Sequence, residues 1–383
     1  MASPTRQEHV AAPPRERITA LDVLRGIAIL GTFGTNVWLF AQPGGPAAWF
    51  ADVLKPAASA AEWAESGLLA LANGKFLAML TVLFGVGIEL QYQAARRRGA
   101  PWAGRYPVRA AILFAEGLVH YLLVFEGDVL MSYAITSLLV AYLVGRSDRA
   151  VRAWIWVLGT LSAVSIALVT ALLTTLPEQT GTAPYDPAAT ASWVDQVVHR
   201  FTDAGAYRLE TLMILPSSVV LFLIGSRLVR AGAFGDSEPG ARIRRRLTLW
   251  GLGLGLPLNV LVWLAGPDFF LVERYLVPPL IALGLLALVT TWTLRARGGP
   301  TRRGLTAVGR TALSCYVLQN LLAGIVCYGW GLGLAERLAG FRPWWVPVLW
   351  AVVSLVNVAA ATLWLRRFDR GPLELLMHRM RGA

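Results

Sequence analysis

Residues 151–175 read VRAWIWVLGTLSAVSIALVTALLTT. After Arg152 the stretch holds no ionisable side chain, and Arg146 and Arg149 stand just before it. A bilayer accommodates helices of about 17–25 mainly apolar residues, so this stretch reads as a membrane span with a basic flank. The same unit recurs in both directions along the chain. Ten segments qualify, at approximately 18–40, 67–90, 107–125, 127–145, 151–175, 208–230, 247–265, 271–294, 307–331 and 344–366. The third and fourth are joined only by 125–128 and should form a tight helical hairpin.

Composition agrees. The 383 residues are 56% hydrophobic and 15% charged, where soluble domains carry about 25% charge, and mean hydropathy is +0.54. These values exclude a disordered chain, a nucleic-acid-binding tail and almost any soluble enzyme. Lys plus Arg outnumber Asp plus Glu by 35 to 23, a net charge of +12. The excess lies in short arginine clusters between apolar runs, as in a polytopic membrane protein. The expected fold class is therefore an all-α integral membrane bundle of about ten transmembrane helices.

The arginines also give an orientation. Arg96, Arg97, Arg98 and Arg105 lie between spans two and three, and Arg146, Arg149 and Arg152 between four and five. Arg242, Arg244, Arg245 and Arg246 separate six from seven, and Arg295, Arg297, Arg302 and Arg303 eight from nine. The alternate loops are poor in basic residues, and 176–207 carries Glu178, Asp186, Asp195 and Asp203. The positive-inside rule then puts the arginine-rich loops and both termini in the cytoplasm. The expected organisation is a flexible tail at 1–16, a membrane half at 17–175, an extracytoplasmic loop at 176–207 and a second membrane half at 208–378. The first span has a basic flank but no clear small-residue cleavage site after Phe40, so it reads as an uncleaved helix. The expected setting is a cytoplasmic (inner) membrane that the chain crosses several times. The expected partners are the bilayer and a second copy of the chain in a homodimer. No nucleic-acid partner is expected.

An ionisable group at the bilayer centre costs about 2.5–3.5 kcal/mol even on lenient scales, so such residues face an interior and a partner. Asp22 and Arg25 are three apart on one helix face. They form either a local ion pair or part of a site for an anionic ligand such as a CoA phosphate. Arg310 belongs to the same layer. Glu116 and His120 share a face of the third span, and Asp128 stands at the mouth of the next helix. A histidine beside carboxylates is suited to general-base work, because the carboxylate fixes its tautomer and raises its basicity. A structural, hydrogen-bonded histidine is the competing reading. Lys75 is either a mid-membrane cation or the first residue of a shorter helix. Asn36, Gln319 and Asn320 suit either interhelical hydrogen bonds or substrate contact.

Other patterns carry less. Cys315 and Cys327 are twelve residues apart in one span, about 18 Å along a straight helix, too far for a disulfide. Gly251 and Gly255 have the spacing that lets membrane helices approach closely. No metal-ligand, zinc-protease or α/β-hydrolase motif is present, so no metal site is expected.

Leu21-Asp22-Val23-Leu24-Arg25-Gly26-Ile27-Ala28-Ile29-Leu30-Gly31, followed by Asn36, resembles the opening helix of the YeiB-like bacterial membrane proteins, domain-of-unknown-function family 418. The likeness continues at Gly74-Lys75-Phe76, Leu83-Phe84-Gly85, Gly117-Leu118-Val119-His120 and Gly127-Asp128-Val129-Leu130 with Tyr133. It resumes at Gly309-Arg310-Thr311-Ala312-Leu313-Ser314-Cys315-Tyr316 with Gln319, at Tyr328-Gly329-Trp330-Gly331-Leu332-Gly333, and at Arg370-Gly371-Pro372-Leu373-Glu374. That family is similar to a wider transmembrane acyltransferase group that includes heparan-α-glucosaminide N-acetyltransferase. The resemblance implies acyl transfer from cytoplasmic acyl-CoA, for example acetyl-CoA, to a hydroxyl or amine across the membrane, with acyl-CoA as co-substrate and no bound cofactor. In the reading adopted here Asp22, Arg25 and Arg310 hold the donor, and Asn36, Lys75, Tyr133, Gln319 and Asn320 contact a small-molecule or glycan acceptor. The lysosomal enzyme has its catalytic histidine shortly after the matching asparagine, but residues 37–60 here contain none. His120, supported by Glu116 and Asp128, takes that role in this reading. A transporter for a small polar or anionic solute is the alternative, in which the buried charges form a substrate path or proton relay.

Overall fold

The computed structural model describes residues 18–175, 188–296 and 298–380. The expected tail, and residues 176–187 of the expected loop, lie outside the described residues. Among the described residues the fold is all-helical. The N-terminal part comprises α1 (Thr19–Phe40), α2 (Gly45–Asp52), α3 (Ala60–Ala72), α4 (Lys75–Arg97), α5 (Tyr106–Leu123), α6 (Leu130–Leu143) and α7 (Asp148–Thr175). Short α8 (Ala188–Ala191) and α9 (Trp193–Thr202) lead into α10 (Ala204–Arg230), α11 (Glu238–Gly253) and α12 (Gly255–Leu264). The rest comprises α13 (Pro278–Arg295), α14 (Pro300–Arg310), α15 (Ala312–Cys327), α16 (Leu334–Arg337), α17 (Trp345–Trp364) and α18 (Pro372–Met380).

All ten expected segments contain helix, but the count of spans is corrected. Seven stretches are long and apolar enough to cross a membrane: Thr19–Phe40, Ala60–Arg97, Asp148–Thr175, Thr211–Arg230, Glu238–Leu264, Pro278–Arg295 and Trp345–Trp364. An eighth is the pair α14 and α15, bent by 91° at Thr311. The expected spans at 107–125 and 127–145 fall short. Helix α5 carries Arg109, Glu116 and His120, which lower its hydropathy. Helix α6 has 14 residues, about 21 Å of helix against a hydrocarbon core of about 30 Å. The expected straight span at 307–331 is the bent pair. The expected loop at 176–207 contains helical α8 and α9.

Burial separates centre from periphery. The apolar windows of Thr19–Phe40 and Ala60–Arg97 are each 72% buried, against 17% for Asp148–Thr175 and for Glu238–Leu264. On α7 and α11 Trp156, Leu168, Leu172 and Trp250 are exposed. A bilayer makes such apolar faces stable, and helices satisfy their own backbone there.

Two apolar clusters fill the interior. The first, toward the arginine-rich end, includes Leu24, Met79, Leu83, Val86, Phe222 and Tyr316. The second, toward the opposite end, includes Phe33, Val37, Phe40, Phe125, Tyr328 and Val346. Along α15 the first cluster ends by Val317 and the second begins at Leu322. Gln319 and Asn320 therefore fall at the seam.

Close backbone contact between α1 and α14 fixes the arginine-rich end. A Cβ on Gly26 would lie 2.1 Å from the Leu305 carbonyl oxygen, and one on Gly309 would lie 1.8 Å from that of Asp22. The expected glycine packing of Gly251 also occurs, against Gly284 of α13. Gly309→Ala should destabilise the protein by about 2 kcal/mol or more, because the methyl group has no room. Gly253→Ala, with nothing within 4 Å, should stay within about 1 kcal/mol of wild type. Unfolding of the two variants in detergent checks the contrast.

Candidate active site

The site grows from the α5–α6 hairpin. His120 lies in the last turn of α5, where its carbonyl accepts from the backbone N–H of Val124 and of Phe125, each at 2.9 Å. The chain then turns, and Asp128 Oδ2 accepts from the Met131 N–H at 3.2 Å, holding the start of α6. Asp128 Oδ1 lies 2.9 Å from His120 Nδ1. Both residues are buried. A carboxylate at Nδ1 fixes a proton there and leaves the Nε2 lone pair free to accept. That nitrogen accepts from Asn320 Nδ2 at 3.3 Å. Asn320 Oδ1 in turn accepts from Asn36 Nδ2 at 3.4 Å. The chain Asp128–His120–Asn320–Asn36 thus crosses from the hairpin through α15 to α1.

Four of the expected residues are brought together in this way. Glu116 is half-buried on the preceding turn of α5, while both ring nitrogens are engaged by Asp128 and Asn320. Asp128, not Glu116, is the carboxylate that orients the ring. Gln319 donates to the Ile29 carbonyl at 3.3 Å and ties α15 to α1. Lys75 starts α4, and its ammonium donates to the Ala70 and Asn73 carbonyls at 2.5 and 3.3 Å. It caps the end of α3, where carbonyls lack helical partners. Tyr133 shares a 2.5 Å hydrogen bond with Thr81 and ties α6 to α4. Asp22 and Arg25 form the expected local ion pair at 3.1 Å. Arg310 donates to the Asp369 carbonyl at 2.9 Å.

Two adjoining cavities with shared lining residues lie between the arginine-rich end and His120. The outer one, about 1200 Å³, is lined by Arg25, Arg97, Arg98, Arg105, Arg109 and Arg370, together with Trp102 and Tyr106. The inner one, about 320 Å³, shares Arg25, Gln91, Tyr106 and Arg109 with it and adds Arg310. Glu374 and Ser137 add polar groups to its lining, and the rest is mostly apolar, with Leu80, Leu83, Phe84, Leu113 and Leu130, and Tyr316 at its inner end. The Tyr316 ring centre is 4.9 Å from that of His120, and its buried hydroxyl has no hydrogen-bond partner of normal geometry. On the other side of His120, Phe125 stacks on Phe40 at 4.8 Å, and Phe40 meets Tyr328 at 5.5 Å. In this conformation the inner cavity reaches Tyr316, whose ring lies against that of His120.

Several contributors were missed in the sequence. Tyr316 is one aromatic in an apolar run and carries no mark of its own. Arg109 reads as a basic flank of the third span. Arg200 of α9 sits in what reads as a polar loop, yet it is buried, 3.1 Å from Glu126, and donates to the Leu122 and Val124 carbonyls at 3.2 Å. Arg208 of α10 donates to the carbonyls of Glu126 at 2.5 Å and Asp128 at 2.9 Å. These two arginines hold the turn that delivers Asp128. The amphipathic pattern of α9 was the available signal.

The class these features define is a polytopic all-α membrane protein with a buried, carboxylate-oriented histidine. The comparisons with known proteins agree with that class. Residues 228–382 match the family model described as "Protein of unknown function (DUF418)". It is 27% identical over 392 residues to the uncharacterized protein YeiB of Escherichia coli (strain K12), covering 95% of this chain and 96% of YeiB. It is 24% identical over 396 residues to the uncharacterized protein YxaH of Bacillus subtilis (strain 168), covering 94% and 93%. A third relative, an uncharacterized 39.9 kDa protein in the amylase 3' region of Bacillus acidopullulyticus, is 31% identical over 125 residues, 33% of each chain. The resemblance read from the motifs is therefore shown, and the chain is a distant full-length homologue of YeiB and YxaH.

Arg200→Ala should cost about 3–5 kcal/mol, because it leaves Glu126 buried and unpaired. Arg242→Ala breaks an exposed pair with Glu238 and should change stability by less than about 1 kcal/mol. Denaturation of both variants checks the difference.

Proposed function

We propose that this protein is a membrane acyltransferase that moves an acyl group, acetyl in the simplest case, from acyl-CoA to a hydroxyl or amine of an envelope or exported small molecule or glycan. In this reading the arginine-rich loops and both termini face the cytoplasm of a bacterium, and the protein resides in the inner membrane. One observation carries the proposal: an arginine-lined mouth continues into an apolar shaft that reaches Tyr316, against the ring of His120. That sequence of surfaces matches a donor with a phosphorylated head, a slender arm and an acyl end.

The chemistry follows from the geometry. Arginine forks suit phosphate oxygens because they donate paired, charge-assisted hydrogen bonds. Arg25, Arg109 and Arg310 would hold that end. Asn320 occupies the His120 lone pair at rest. An acceptor hydroxyl or amine arriving between Asn36 and Asn320 would take that place and donate its proton to Nε2. Its oxygen or nitrogen then bonds to the thioester carbonyl carbon. The tetrahedral intermediate collapses with cleavage of the carbon–sulfur bond, and the proton on Nε2 passes to the departing thiolate. Asp128 stabilises the imidazolium while it exists. The Tyr316 hydroxyl, free to donate, can stabilise the developing oxyanion.

The 91° break between α14 and α15 favours a second reading, a permease for a small polar or anionic solute, since broken spans line the substrate paths of many transporters. Flux of a labelled solute into proteoliposomes without an acyl donor would support it. For the enzyme, thermal-shift titration of purified protein should show saturable stabilisation by acyl-CoA. Arg25→Ala and Arg109→Ala should each weaken that binding about tenfold or more. His120→Gln should keep donor binding and abolish transfer in an acceptor screen. Absence of stabilisation by any acyl-CoA, short or long, would overturn the proposal.

A further inference from the structure

A second chamber lies at the end of the bundle opposite the arginine-rich loops, apart from the passage to His120. It measures about 80 Å³ and is lined in part by Trp63 of α3, Trp263 of α12, Phe270 and Glu273. Trp63 and Trp263 meet edge to face with centres 5.7 Å apart. Trp263 Nε1 donates to Ser66 Oγ at 3.1 Å, which fixes the orientation of its ring. Glu273 is 7% exposed, and its buried Oε1 has no hydrogen-bond partner of normal geometry, although the Asn73 amide lies beside the carboxyl. It belongs to a π-helical turn, Val272–Leu276, that leads into α13.

A buried carboxylate oxygen without a donor is costly, so it calls for a partner. The cations nearby do not supply the missing bond. Lys75 donates to the Ala70 and Asn73 carbonyls. Lys55, also in the lining, is paired with Asp52 at 2.7 Å. Arg274 donates to Asn73 Oδ1 at 2.9 Å and to Tyr275 at 2.8 Å. The two segments that build the chamber, 52–75 and 262–274, carry five carboxylates (Asp52, Glu62, Glu65, Asp268 and Glu273) and three cations (Lys55, Lys75 and Arg274). Arg342 pairs with Glu65, so five carboxylates meet four cations here, an excess of one acid in a chain of net charge +12.

We infer that the chamber binds a small organic ammonium group, with Glu273 as counter-ion and the rings of Trp63 and Trp263 as the cage, while Arg274 lies over the Phe270 ring. Aromatic faces attract such cations through the ring quadrupole, most strongly where water is excluded, and tryptophan is the best of them. The volume equals that of about two or three waters, which suits a methylated ammonium head and excludes a sugar ring. The group belongs to a soluble amine or to a lipid headgroup. The site is independent of His120 and of the acyl-transfer reading.

Titration calorimetry of the full-length protein in detergent with choline tests this. Saturable binding should appear, and choline's uncharged isostere, with carbon in place of nitrogen, should bind at least tenfold more weakly. Glu273→Gln should weaken choline binding tenfold or more. Trp263→Leu keeps the carboxylate and should weaken it several-fold, which decides the matter if the Glu273 variant fails to fold. Nanodiscs assign the source: weaker choline binding in phosphatidylethanolamine than in phosphatidylglycerol identifies a lipid headgroup as the occupant, and equal binding identifies a soluble amine. Lack of saturable choline binding, equal binding of the isostere, or unchanged binding in folded variants would overturn the inference.

Discussion

Asp128 bonds in two directions, and the centre of the molecule depends on both. One oxygen holds the first turn of α6, and the other holds the imidazole of His120. The same carboxylate therefore sets the geometry of the hairpin and the tautomer of its histidine. It works because the turn carrying it is itself held by Arg200 and Arg208, which occupy its backbone carbonyls. In an apolar bundle each of these groups would be costly alone. Together they form a closed polar unit between two apolar clusters.

That unit sits behind the inner end of one passage. On the arginine-rich side an open passage with a basic mouth and greasy walls ends at Tyr316. On the opposite side the aromatic rings of Phe40, Phe125 and Tyr328 cover the histidine. Burial leaves His120 little direct access to water, a setting in which hydrogen bonds act strongly and unpaired groups are costly. The α1–α14 contact through Gly26 and Gly309 places Arg25 and Arg310 on facing elements at the mouth. The short hairpin of α5 and α6 lets a turn rather than a full span reach the centre.

Much of this was legible in the sequence because a polar residue stands out in an apolar run. Asn36, His120, Asp128 and Asn320 were each marked that way, and the structure joins them in one chain. What the sequence could not give was depth and pairing. Lys75 and Tyr133 stand out equally well, yet they tie α3 to α4 and α4 to α6. The ten-span count failed where polar turns lengthened an apolar run: residues 127–145 look continuous, but α6 is only 14 residues long. The break at Thr311 was invisible because apolar residues continue through it, while backbone geometry turns by 91°. Tyr316 was hidden for the converse reason, since a tyrosine in a membrane helix has no distinctive pattern.

The most direct measurement follows an acyl chain into the shaft. An acyl-CoA bearing a photoreactive diazirine near its acyl end can be bound to the purified protein, irradiated and mapped by mass spectrometry. The account predicts labelling on the shaft wall at Leu80, Leu113 or Tyr316, and loss of that labelling when unmodified acyl-CoA competes. Labelling confined to the lipid-facing side of α7, or insensitive to competition, would contradict it.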